Sequence, residues 1–290
     1  MKLFTLDRDR ARDSVADFYE LYRSRPIARN SLGMGFNHCF ATWFILREMQ
    51  PTVVVESGVW RGQSTWIIEQ AVPAAEIIAI DPVPEARVYV SPRVRYETVD
   101  FSRLDWSQTD VANAVVFFDD HQNSYERLKE MFWLGFRHAI FEDNYPCGEG
   151  DFYSLRHLRA GCGHPHIQMS PAYARTPRER IKRWLVEPLL RRLGHAQKVI
   201  VPPNDTDRAN LARNLAAYVE FPAVVMNDRN NWGSEWSGSH ASVPAIFGSR
   251  DDLPADLCRA STTSTAGIDL SYCHLAYVAL GMGPFSGTCE

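Results

Sequence analysis

Apolar positions change their period along the chain. In the first fifty residues they recur at helical spacing, with Phe36, Phe40, Trp43 and Phe44 inside GFNHCFATWFILREM, until Pro51 ends the pattern. That stretch predicts a helical cap packed on a core. From Thr52 onward short apolar or β-branched runs take over: TVVVE, EIIAID, VRYE, AVVFFDD and HAIFED, separated by segments long enough for crossover helices. The alternation predicts an α/β fold, a doubly wound and mostly parallel sheet with helices on both faces. One helix carries clear end signals, with Asn123 ahead of YERLKEMFWL, Glu126 in its first turn and Gly135 behind it. Beyond Phe152 the pattern is poorer and recovers in YVEFPAVVM and YCHLAYVAL, two strands expected to close the sheet edge as an antiparallel pair. The reading divides the chain into a helical cap (1–50), a Rossmann-like core (51–159), an insertion or lid (160–215) and C-terminal strands (216–290).

Composition narrows the class. With 290 residues, 45% hydrophobic and 23% charged, the chain is an ordinary globular protein rather than a disordered or fibrous one. No apolar run reaches the roughly 18 residues of a membrane span, and MKLFTLDRDRAR lacks the apolar stretch of a secretory signal, so a cytoplasmic setting is expected. A net charge of -4 gives no reason to expect a nucleic-acid partner. The six cysteines are dispersed, with no C-x-x-C pair, and read as reduced structural thiols. Charge is nevertheless segregated: between Arg175 and Lys198 eight basic and two acidic residues give a local +6. A solvated helix accounts for that segment, and an acidic or membrane-surface partner is the alternative.

Chemistry concentrates where strands end, because loops and helix N-termini converge there in open parallel sheets. In VVVESGVWRGQST, residues 53–65, a buried strand runs through Gly58 and Gly62 into a helix starting near Gln63. Glycine lets a ligand approach the backbone, and the helix start offers free N–H groups to an anion. The spacing is neither the G-x-G-x-x-G dinucleotide fingerprint nor a P-loop. Asp81 ends the next strand, where a carboxylate can accept hydrogen bonds from ribose hydroxyls. E-x-G-x-x-x-G-x-S followed by that acid resembles motifs I and II of the class I S-adenosylmethionine-dependent methyltransferases. The resemblance implies that Glu56, Gly58, Gly62 and Ser64 line the cofactor S-adenosyl-L-methionine, with Ser64 at the methionine carboxylate. It also implies that Trp60 packs on the cofactor, Asp81 holds the ribose, and Ser102, with Asp100, lies near the adenine, although a capped turn explains those last two equally well.

FFDDHQNSYE and FEDNYPCGEGDF end two further strands. Neighbouring strands lie about 4.8 Å apart, so their carboxylates can meet one cation, and oxygen ligands favour Mg2+ or a similar ion. The pairing resembles that of metal-dependent small-molecule O-methyltransferases. On the catechol O-methyltransferase pattern the ligands are Asp120, Asp143 and Asn144; on that of the macrolide-sugar enzymes Glu142 replaces Asn144. Asp119 is expected on the face opposite Asp120, unless a turn starting there reverses the choice. His121 is a candidate general base beside Asp120, and a plain hydrogen-bonded histidine is the alternative. Gln122 and Asn123 stand where the catechol family has a lysine, which argues against catechol specificity.

Other residues carry less. Tyr145, Asp151 and Tyr153 lie near this centre in sequence and either touch substrate or pack a surface loop. His164 and His166 offer too few ligands for zinc, and WGSEW (232–236) offers aromatic surface for a sugar or aromatic acceptor. The expectation is a methyltransferase acting on a small hydroxylated molecule, with natural-product or sugar scaffolds as leading acceptors by analogy alone. A homo-oligomer is left open. The rival readings are a noncatalytic nucleotide-binding module and a metal-assisted hydrolase or hydroxylase on the same fold.

Overall fold

The computed structural model describes residues 1–30, 33–147, 149–150, 152–162, 205–226, 243–261, 268, 270 and 274–281, with 164–167 and 198–201 as backbone. Two helices, α1 (Arg8–Arg23) and α2 (Phe36–Met49), precede the first strand. The sheet strands are β1 (Val53–Ser57), β2 (Glu76–Ile80), β3 (Val94–Glu97), β4 (Ala114–Phe118) and β5 (His138–Phe141). Helix α3 (Gln63–Ala71) follows β1, α4 (Ser124–Leu134) follows β4, and α5 (Leu155–Ala160) follows β5. Next come the antiparallel pair β6 (His164–Ile167) and β7 (Lys198–Val201), then α6 (Asp205–Asn214), β8 (Leu215–Glu220), α7 (Ala255–Ser261) and β9 (Ala276–Leu280).

The seven-stranded sheet has the order β3-β2-β1-β4-β5-β9-β8. Its first five strands run parallel, while β9 pairs antiparallel with both β5 and β8. The sheet is therefore a Rossmann-like, doubly wound α/β sheet closed by an antiparallel edge. Crossovers leave β1 in opposite directions, so its carboxyl end beside β4 is the topological switch point. Register aligns Ser57 with Phe118, and Phe118 with Phe141, so the residues that follow them emerge side by side.

Strand residues sort by parity onto two buried layers. Val54, Ile77, Val115, Phe117 and Ile140 pack on the side of α1, α2 and α3. Val55, Ile78, Val116, Phe118 and Phe141 pack on the side of α4, α5 and α6. With both faces covered, β1 and β4 are buried throughout, which is why they read as continuous apolar runs.

The N-terminal helices are more than a cap. Helix α2 is buried on nearly every side, because FNHCFATWFILREM has no polar face to give to water. Phe18 of α1 wedges among Phe36, Phe40 and Trp43 at ring-centroid distances of 5.2–5.4 Å. Helix α4 starts and stops as its sequence signals require, with the Asn123 side chain accepting from the N–H of Tyr125 and Glu126, and Gly135 at φ 87°. YVEFPAVVM forms a strand only in its first half; Val225 continues as an isolated bridge to Phe247. The basic segment 175–197, WGSEW and Asp151 lie outside the described residues. No helix among the described residues is long and apolar enough to cross a membrane.

One expectation about the cysteines fails: Cys147 and Cys162, 15 residues apart, form a disulfide that closes the loop carrying α5. Sequence spacing missed it because Gly161 and the Ser154 cap reverse the chain and bring the two thiols together. Among the described residues Cys39 and Cys258 remain thiols. A crosslink over a loop of this length stabilises by about 3 kcal/mol. Dithiothreitol should therefore lower the melting temperature of the wild type by about 6–12 °C and leave that of Cys162→Ser unchanged.

Candidate active site

The glycine turn is held from beneath. Gly58 (φ 94°), Trp60 (φ 50°) and Gly62 (φ 89°) all occupy the left-handed region between β1 and α3. Asp81 stabilises this shape: its Oδ2 accepts from the N–H of Val59 (3.0 Å) and Trp60 (2.8 Å), and its Oδ1 from that of Val83 (2.7 Å). Trp60 itself stands about half exposed above the turn. Glu56 lies fully buried below, its Oε2 accepting from the Thr65 hydroxyl at 2.6 Å and its Oε1 without a hydrogen-bond partner among the described residues.

Burial raises the Glu56 carboxyl to about 7. Its ordinary value is 4.5, so the folded state holds this proton more tightly than the unfolded one. The contribution is complete below pH 4.5 and is lost as pH rises through 7. Glu56→Gln should flatten this decline, shrinking the stability difference between pH 5 and pH 8 by about 2 kcal/mol in denaturant melts.

At the end of β4 the two aspartates part company. Asp119 continues the parity of Phe117 towards α2, and Asp120 that of Phe118 towards α4. Asp120 accepts from the Ser57 hydroxyl at 2.7 Å and pairs with Arg127 at 2.8 Å. Arg127, buried on α4, also binds Asp100 (2.7 Å) and Glu130 (2.7 Å). That guanidinium holds the Asp100 carboxyl well below the usual range, and Asp100 in turn accepts from the backbone N–H and hydroxyl of Ser102. Asp120 is thus spent on joining the ends of β1, β3 and β4. Alternation predicts opposite faces for the two aspartates; the structure makes Asp119, not Asp120, the one that meets the next strand's acids.

Those acids are Glu142 and Asp143. A carboxylate oxygen of Asp119, one of Asp143 and a ring nitrogen of His121 all lie within 4.8 Å of one another, and Glu142 and Asp143 form a second such group with His38. Desolvation raises the Asp119 carboxyl well above the usual carboxylate range, reinforced by Glu142 and Asp143. Glu142 is raised by its own burial and then by Asp143. Three acids crowded out of water favour either a shared proton or a cation. Asn144 takes no part: its amide donates to the Tyr218 hydroxyl (2.7 Å), its Oδ1 accepts from the Arg156 N–H (3.0 Å), and its N–H donates to the His274 carbonyl.

His121 follows the turn at φ 54° with its ring edge-on to Phe152. Its side chain is 51% exposed, and Nε2 lies 3.9 Å from both Asp119 and Asp143. The group absent from the sequence reading is His38. Helix α2 carries it, fully buried, against Glu142, and only its helical phase within an aromatic run could have pointed to it. Tyr145 and Tyr153 pack inward, the first against Phe152 and the second stacked on His157.

No protein-family model matches the sequence. No curated protein matches it either. Among solved structures, an apo structure of CmcI aligns over 41% of this chain and 57% of its own, at 18% identity and a TM-score of 0.33. A methyltransferase from Geobacter sulfurreducens aligns over 48% and 71%, at 19% identity and a TM-score of 0.31. The O-methyltransferase TomG from Streptomyces achromogenes, involved in tomaymycin synthesis and solved with SAM, aligns over 48% and 75%, at 14% identity and a TM-score of 0.31. The chain spans less than two-thirds of the length of the CmcI structure. The fold class rests on the strand order itself.

Proposed function

We propose that the protein is an S-adenosylmethionine-dependent O-methyltransferase that methylates a hydroxyl of a small molecule with the help of a divalent cation. One observation carries this reading: the glycine turn and the acid cluster are in backbone contact. A Cβ on Gly58 would lie 2.1 Å from the Asp119 carbonyl, so whatever the turn binds sits beside the acids. Gly58, Trp60, Gly62, Ser64, Glu56 and Asp81 would hold the cofactor, with Ser102 near its far end. When bound, it supplies an electrophilic methyl group.

The oxygen donors fit a hard cation such as Mg2+. Asp119, Glu142 and Asp143 would hold it, a set that replaces Asp120 and Asn144 of the motif resemblance. When bound, it supplies positive charge that lowers the pKa of a nearby hydroxyl. The residues do the rest: the turn and the cluster fix donor and acceptor side by side for in-line attack. His121 Nε2 takes the acceptor's proton, and Asp119 and Asp143 on either side offset the charge the ring gains. A natural-product or sugar hydroxyl as acceptor, and a cytoplasmic location, belong to this proposal too. Against that location stands the disulfide, since such bonds are rare in reducing compartments.

Calorimetry with S-adenosylmethionine, followed by methyl-transfer assays on a panel of hydroxylated compounds with and without chelator, tests the reading. Chelator-sensitive transfer supports it. Binding without turnover across the panel would replace it with a noncatalytic module, and turnover without the cofactor would replace it with a hydrolase or hydroxylase.

A further inference from the structure

We infer that His38, from the N-terminal helix α2, is a positioning residue that orients Glu142 for the cation, an assignment that rests on the reading above. His38 is fully buried and its Nδ1 meets Glu142 Oε1. Its other nitrogen, Nε2, accepts from the backbone N–H of His274 at 2.9 Å. A backbone N–H can only donate, so the hydrogen-bond network places the lone pair on Nε2 and the proton on Nδ1. His38 therefore donates to Glu142.

This tautomer decides between two roles. A ring that coordinated a cation through Nδ1 would have to move its proton to Nε2, against the His274 N–H. His38 therefore stands behind the carboxylate rather than beside it as a ligand, although its distances alone would admit it to the cluster. The His274 donor is tied to the sheet edge: it lies two residues before β9, whose Ala276 pairs with Phe141 of β5, and its carbonyl accepts from the Asn144 N–H. Imidazole, carboxylate and sheet form a closed frame, with Glu142 Oε1 occupied and its other oxygen left to the cluster. Partners of this kind fix ligand orientation, and their loss weakens metal affinity about 10- to 100-fold.

Mn2+ alone is the probe, titrated into the full-length protein and followed by electron paramagnetic resonance of the free ion. His38→Ala should weaken binding about 10-fold or more. His38→Asn, whose amide N–H falls near the Nδ1 position, should stay within about threefold of wild type. His38→Gln, whose amide reaches the Nε2 position instead, should lose affinity like alanine. The contrast between asparagine and glutamine keeps the test valid even if the alanine variant fails to fold. Equal affinities for those two variants, or wild-type affinity in His38→Ala, would overturn the role of His38 and leave the cation reading standing. A wild type that binds no Mn2+, or binds it regardless of Asp119→Asn, would sink the cation reading and this assignment with it.

Discussion

Asp119→Asn should lower chelator-sensitive methyl transfer about a thousandfold and weaken Mn2+ binding, while the neighbouring Asp120→Asn should cost stability first. The two side chains differ by one atom from their replacements and by one position from each other, yet the fold gives them opposite surroundings. Asp119 is raised by burial and by the acids beside it, and among the described residues the basic group set against it is His121 at 3.9 Å. Removing its charge eases that crowding, so Asp119→Asn should melt at or above the wild-type temperature. Loss of one group that stabilises charge at a reacting centre costs about 10²–10³-fold or more in rate. Asp120 neutralises Arg127, which keeps Asp100 and Glu130 when Asp120 is changed. Its loss should then cost about 1–2 kcal/mol, less than the rupture of an isolated buried pair. Melting curves and steady-state kinetics on both variants check the pair of outcomes. A large rate loss in Asp120→Asn, with Asp119→Asn near wild type, would reverse the assignment.

The second large effect is Gly58→Ala. The added methyl would stand 2.1 Å from the Asp119 carbonyl oxygen and 2.9 Å from the Asp120 N–H nitrogen, both backbone atoms that cannot swing away. The position also holds φ at 94°, a value that alanine adopts only under strain. Strain and overlap together should cost about 3 kcal/mol or more, a fall in melting temperature of about 6–12 °C for a chain of this size. Because the displaced atoms belong to β4's end, Mn2+ affinity should fall with the stability. Unchanged melting and unchanged affinity would mean that turn and cluster are not in contact.

Much of this architecture was legible. Runs such as TVVVE and AVVFFDD gave the buried parallel strands because strands covered on both faces have no polar side to alternate. The glycine turn was legible because a chain reversing between strand and helix needs glycine; Asp81 reads as a ribose acceptor, and its bonds to the N–H groups of that turn were not legible. The choice between Asp119 and Asp120 was not legible either. Alternation separates them, but only the packing of α2 and α3 on one layer says which of them meets Glu142 and Asp143, and packing is a long-range property. His38 was hidden for a related reason: periodicity marks α2 as apolar but not what its one imidazole meets 104 positions later. The disulfide was hidden because its geometry depends on how α5 is capped.

The frame around Glu142 joins residues as far apart as 38 and 274. No shorter piece of chain contains its parts, and an unfolded chain cannot hold them together. The affinity of the proposed cation would then be coupled to the folding equilibrium as a whole: ion at about 100 times its dissociation constant would add about 2.7 kcal/mol to the native state. The ion would report complete tertiary assembly, and a chain that begins after α2, and so lacks His38, should lose both at once.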